Sequence, residues 1–185
     1  SAGKGGGMYL VNQSNPQFID VTFKDNSANE GGGIYIKASN PEFNNTDFTN
    51  NSSTEAGGGA YMENSTPEFI GGTFSSNHGN KTGGGLVLYR SDAIFDSTIF
   101  ENNDALSIED GESNGKGGGI YMEESNPVLK AVQIIGNTSS NNGGGLYCKF
   151  SNPIIQIFDG DTSKINNNTT MGRKGGGIYS TFGSA

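Results

Sequence analysis

An all-β solenoid is the fold class predicted for this 185-residue chain, specifically a parallel β-helix of about 26 residues per coil. Three observations predict it. A glycine triplet recurs at Gly5, Gly31, Gly57, Gly83, Gly117, Gly143 and Gly175, at intervals of 26, 26, 26, 34, 26 and 32 residues. An aliphatic–Tyr–aliphatic alternation follows the triplets, which is the period-2 signature of a strand. Further apolar positions stand at fixed offsets between turn residues, with no helical periodicity. One repeat cannot bury its own apolar face, so the repeats must stack.

The elements follow in order within each repeat. In extended register the middle glycine of a triplet points inward at a tight corner, and its two neighbours leave bare backbone outside. The first strand carries Met8, Ile34, Ala60, Leu86, Ile120, Leu146 and Ile178 inward, and Leu10, Ile36, Met62, Leu88, Met122 and Cys148 two residues later. The residue between them points outward: Tyr9, Tyr35, Tyr61, Val87, Tyr121, Tyr147 and Tyr179. Cys148 occupies a hydrophobic column and reads as a small buried apolar residue.

A turn comes next at Ser14-Asn15-Pro16, Ser39-Asn40-Pro41, Ser125-Asn126-Pro127 and Ser151-Asn152-Pro153. The second strand is marked by Phe18, Phe43, Phe69, Phe95, Leu129 and Ile155, and the third by Phe23, Phe48, Phe74, Phe100 and Ile134. Asn26, Asn51, Asn77, Asn103 and Asn137 follow the third strand at a constant offset, and Ile165 with Asn168 restores the pair in the sixth repeat. Stacked amides of this kind form a structural hydrogen-bond ladder. Three short strands per coil and six to seven coils make a rod about 30 Å long. By analogy with known solenoids the hand is right.

Residues 1–185 therefore read as a single β-helix domain and as a fragment of a larger protein, with insertions at 104–116 and 158–168. A leucine-rich repeat would need its LxxLxL core, a calcium-binding nonapeptide solenoid its GGxGxDxUx, and a propeller blade a longer period. The net charge of −8 and the presence of only two arginines, Arg90 and Arg173, argue against a nucleic-acid partner. No apolar run is long enough for a membrane helix.

Gly31-Gly32-Gly33-Ile34 with Phe48-Thr49-Asn50-Asn51, and Gly57-Gly58-Gly59-Ala60 with Phe74-Ser75-Ser76-Asn77, resemble the paired GG[A/G][I/L/V] and FxxN motifs of polymorphic outer membrane protein repeats in microbial surface proteins. The resemblance extends over nearly the whole chain. It implies a β-helical region of an extracellular or cell-surface protein, often adhesive, and brings no catalytic residues with it.

Candidate chemistry is sparse. Glu42 and Glu68 share one outward column in adjacent coils at about 5 Å, the spacing of a retaining glycosidase pair. Ile94 and Val128 continue that column, so an acidic stack on a solvated face is the plainer reading. His78 is the only histidine and has no nucleophile pattern around it. Asp159 and Asp161 in one insertion, with Glu109 and Asp110 in the other, are candidate Ca²⁺ ligands if both insertions leave the same corner. No other cofactor is indicated. Asn12, Asn44, Asn50, Asn51, Asn64, Asn80, Asn137, Asn167 and Asn168 head glycosylation sequons for a eukaryotic secreted protein.

The Tyr column is the strongest interaction candidate. Tyr9, Tyr35, Tyr61, Tyr121, Tyr147 and Tyr179 could form a platform for protein or glycan, a face for lateral self-association, or a cover over the glycine backbone. An open solenoid end offers end-to-end pairing as well. The expected function is a non-enzymatic structural or adhesive segment that presents an extended surface or self-associates into filaments. A polysaccharide-binding or polysaccharide-degrading β-helix is the alternative. An ice-binding solenoid is the third, although its regular Thr rows are missing.

Overall fold

The computed structural model describes residues 2–107, 114–156, 162–172 and 174–182. Every strand pairs in parallel with its counterpart one coil away, as the repeat requires. The second coil shows the path: Ile34–Lys37, then Glu42–Asn44, Asp47–Thr49 and Ser52–Ala56. Each of these belongs to a different parallel sheet. The Tyr strands form a seven-stranded sheet, the two Phe strands form two six-stranded sheets, and the last strand joins a second seven-stranded sheet.

The expected coil of three strands thus has a fourth. It runs through Ser27–Glu30, Ser52–Ala56, His78–Gly79, Asp104–Ala105, Thr138–Ser139 and Thr169–Thr170. Its inward residues Ala28, Ser53, Gly79, Ala105 and Ser139 are buried but small. No large apolar residue marks it, so hydrophobic periodicity does not reveal it.

The four corners obey one rule. A residue in the left-handed region is followed by an inward residue that is small or polar, or is Val at Val21 and Val132. After the Tyr strand the pair is Ala38 (φ 50°) and Ser39; between the Phe strands it is Asn45 (φ 48°) and Thr46. After the second Phe strand it is Asn50 (φ 54°) and Asn51, and before the Tyr strand Gly31 (φ 63°) and Gly32. Coil-to-coil backbone hydrogen bonds continue through all four corners: Ala38 N–H to the Glu63 carbonyl at 3.0 Å, Asn45 to Ile70 at 2.8 Å, Asn50 to Ser75 at 3.1 Å and Gly31 to Ala56 at 3.0 Å.

The triplet is explained differently from the expectation. Its first residue supplies the left-handed corner. A Cβ on Gly32 would strike the carbonyl oxygens of Gly58 and Ser52. All three glycines are buried in the coils starting at Gly31, Gly57, Gly83, Gly117 and Gly143, so in these coils no bare glycine floor faces solvent.

Inside, like residues stack on like. Phe18, Phe43, Phe69 and Phe95 form one column with ring centroids 5.0, 4.4 and 4.8 Å apart. Phe23, Phe48, Phe74 and Phe100 form another at 5.2, 4.4 and 4.8 Å. Within a coil the columns meet edge to face, as at Phe95 and Phe100 (5.4 Å, 71°). Such contacts stabilise beyond the area they bury.

The insertions are narrower than the sequence suggests. Asp104 pairs with His78 and Thr138, and Ala105 with Ser139, so both are ordinary rungs. Lys164–Asn166 pairs with Gln133–Ile135, which ends the second insertion before Lys164. The first insertion follows a strand of the small-residue sheet, whereas the second lies between the two Phe strands. They therefore depart from different corners.

Candidate functional site: the tyrosine column and its break

The Tyr column is a ladder of rings and is far less exposed than an outward position suggests. Tyr9, Tyr35 and Tyr61 stack at 5.3 and 5.2 Å, and Tyr121, Tyr147 and Tyr179 at 5.2 and 5.2 Å. Tyr35 is 0% exposed and Tyr147 5%, while Tyr9 is 50% exposed. Parallel registration places identical residues one coil rise apart, so each ring shields the next.

Charged side chains flank the rings. The Tyr35 hydroxyl donates to Glu63 Oε2 at 2.6 Å, and Lys37 Nζ donates to Glu63 Oε1 at 2.7 Å. A second Tyr–Glu–Lys trio, with the Glu on the same strand as the Tyr, forms where the Tyr121 hydroxyl donates to Glu123 Oε2 at 2.7 Å and Lys149 to Glu123 Oε1 at 2.6 Å. Burial, reinforced by the Glu63 carboxylate, raises the Tyr35 phenol well above its ordinary value; burial and Glu123 do the same to Tyr121. Tyr61 is raised by burial and the nearby Glu30 charge, and Tyr147 chiefly by burial. Burial acts against ionisation of Glu63, but the Lys37 and Tyr35 hydrogen bonds outweigh it and lower its pKa. Two ammonium groups rest on the ladder: Lys4 Nζ is 4.3 Å from the Tyr35 ring centroid and Lys116 Nζ 5.2 Å from that of Tyr147.

The ladder breaks once. Val87 pairs with Tyr61 on one side and Tyr121 on the other, so the column has no Tyr at this rung. A cavity of about 310 Å³ opens there, lined by Tyr61, Val87 and Tyr121, by Tyr89 from the Val87 strand, and by Glu55, Lys81 and Glu123. Tyr61 and Tyr121, whose faces border it, are half-buried, unlike Tyr35.

The other recurrent polar residues are absorbed by the frame. Asn77 Nδ2 donates to Asn103 Oδ1 at 2.9 Å and to the Phe48 carbonyl at 2.8 Å. Asn77 Oδ1 accepts from the backbone N–H of Asn51 at 3.0 Å and from its amide at 3.1 Å. The turn serines form a second ladder that the sequence reading missed: Ser39 N–H to Ser65 Oγ at 3.2 Å, Ser65 to Ser91 at 3.1 Å, and Ser91 to Ser125 at 3.0 Å. Its signal was the invariance of Ser ahead of the variable Asn-Pro.

This placement divides the sequons. Asn51 and Asn137 are buried, and Asn168 is half-buried with its amide donating to Ile134. In the folded coil these three amides are committed to the ladder. Asn12, Asn44, Asn50, Asn64 and Asn167 are exposed at corners or strand ends, and Asn80 is half-buried.

Glu42 and Glu68 stand side by side in register, with Glu42 accepting from Gln17 Nε2 at 2.6 Å. His78 stands in a strand of the small-residue sheet, and its Nδ1 contacts the Asp104 carboxylate one coil away. That hydrogen bond raises the imidazole pKa above 6.5 against a smaller opposing effect of burial. Cys148 is 2% exposed, and burial pushes its thiol up to about 11. Glu109, Asp110, Asp159 and Asp161 lie outside the described residues. Among the described residues no group of three or more His, Cys, Asp or Glu could hold a metal ion, and no helix is long and apolar enough to cross a membrane.

No curated protein and no solved structure matched the chain. A family model described as the right handed beta helix region matches residues 1–155, which fixes the hand of the coil, and the chain belongs to that family.

Proposed function

We propose that the chain is a non-catalytic structural and adhesive segment of an extracellular or cell-surface protein, whose rod presents an extended surface to a protein partner. One observation carries the reading: a regular frame wears an irregular coat. The recurrent Asn, Ser, Phe and Gly columns are consumed by stacking and hydrogen bonding, whereas outward positions outside the Tyr column change from coil to coil. One outward column reads Gln17, Glu42, Glu68, Ile94, Val128, Ile154, and another Thr22, Asp47, Thr73, Ile99, Gln133, Lys164. A non-repeating surface suits recognition of one partner. It offers no regular Thr row to an ice lattice. Burial of Tyr35 and Tyr147 removes much of the stripe that lateral filament packing through tyrosines would use. The likeness to polymorphic outer membrane protein repeats supports placement at a surface.

The test is attachment of protein-coated beads to cultured cells, run beside incubation with polygalacturonate. Saturable attachment that disappears when the cells are first treated with protease, with no release of sugar products, is expected. Product release, or attachment indifferent to protease, would overturn the reading.

A further inference from the structure

The break at Val87 is a slot one rung wide. Tyr61 and Tyr121 stand two coil rises apart across it, about 9.6 Å, with Val87 closing its base. Elsewhere in the ladder rings repeat every 5.2–5.3 Å, so a flat group entering midway meets a π face on each side at close to the ladder's own spacing. Charge selects what that group is. Among the described residues three carboxylates line the slot, Glu30, Glu55 and Glu123, against one ammonium, Lys81, which pairs with Glu55 at 2.6 Å. The lysines that pair with the other two, Lys4 with Glu30 and Lys149 with Glu123, do not line it. The ladder also already accepts cations, through Lys4 at Tyr35 and Lys116 at Tyr147.

We propose that the slot between Tyr61 and Tyr121 receives the guanidinium of an arginine side chain from a partner protein. This deepens the surface-recognition reading, on which it rests, by naming the group recognised. Guanidinium is planar, is weakly hydrated for a cation, stacks on aromatic faces and can bond a carboxylate edge-on. Here it would lie flat between the two rings with its N–H edge toward Glu55 and Glu123. A lysine ammonium has the charge without the flat shape, and a neutral sugar has the ring without the charge.

The experiment is an NMR titration of the Tyr61 and Tyr121 ring resonances in the full chain. The probes are N-acetyl-argininamide, N-acetyl-norleucinamide and methyl glucoside. Saturable shifts with the arginine probe, about tenfold tighter than with norleucine, are expected. Val87→Tyr supplies the missing ring and is expected to weaken arginine binding tenfold or more. Glu55→Gln is expected to weaken it several-fold while leaving the fold intact. Equal binding of arginine by Val87→Tyr and wild type, equal binding of norleucine, or binding of the glucoside alone would overturn the slot. Bead attachment without arginine binding would sink the slot and leave the surface reading standing. Arginine binding without attachment would support the slot and sink the adhesive reading.

Discussion

At Asn77 both donors and both acceptor directions of one amide are satisfied by neighbouring coils, in a site with 0% exposure. Asn77→Ala strands the two Asn51 donors and the Phe48 carbonyl. A loss of about 3 kcal/mol or more is expected in urea denaturation, since each buried orphan costs about 1–3 kcal/mol. A loss below about 1 kcal/mol would mean that water replaces the rung. The left-handed corners give the opposite sign. Ala131 sits at φ 49°, where a Cβ is unfavourable, so Ala131→Gly is expected to raise stability by about 0.5 kcal/mol. Gly31→Ala, at φ 63° and facing the Ile34 carbonyl, is expected to lower it by about 2 kcal/mol. The Asn column was legible in the sequence because it follows Phe at a constant offset. The corner rule was not, because Ala38, Arg90, Glu124 and Phe150 adopt left-handed conformations that their residue types do not advertise. The inter-coil bonds hold them there.

At the scale of the strand, three of the four sheets could be read from their Ile, Leu and Phe columns, and the fourth could not. Its inward Ala28, Ser53, Gly79 and Ala105 look like a polar loop. Its outward His78–Asp104 pair gives a direct check. The His78 pKa is raised, so the pair stabilises fully below pH 6.5, and that contribution is lost as pH rises through the folded-state value. Both side chains are more than a third exposed, so solvent screens the gain and a small stability change is expected. Asp104→Asn is expected to lower the His78 pKa in an NMR titration and to flatten stability across that range; an unchanged pKa would show that the contact is absent in solution. The Tyr ladder behaves analogously at alkaline pH. Tyr35, Tyr61, Tyr121 and Tyr147 are raised above 10.0, so their contribution is complete below pH 10 and lost as pH climbs through the raised values. Phenolate absorbance that lags behind free tyrosine and then rises together with unfolding is expected. Early ionisation of most tyrosines would contradict the ladder's burial.

Across the whole molecule, the repeat spends its regular residues on the frame and leaves its exceptions on the outer surface. Val87 was visible in the sequence as the one residue in its column that is not Tyr. What a missing ring leaves behind became apparent only when the rings proved to be in contact, because an exposed column would have had no gap to fill. The outward placement of the column was right, and its exposure was overestimated because stacking along the axis buries what a single coil would expose. Both properties of the break meet in Val87→Tyr. Completing the ladder adds two stacked pairs, worth about 0.5–1.5 kcal/mol each before the loss of Val87 packing. The most direct measurement is therefore bead attachment by Val87→Tyr beside wild type, with the denaturation midpoint of each. A variant that is equally or more stable yet fails to attach is the expected result. A stabilised variant that attaches as well as wild type would show that the frame is as described and that recognition lies elsewhere on the rod.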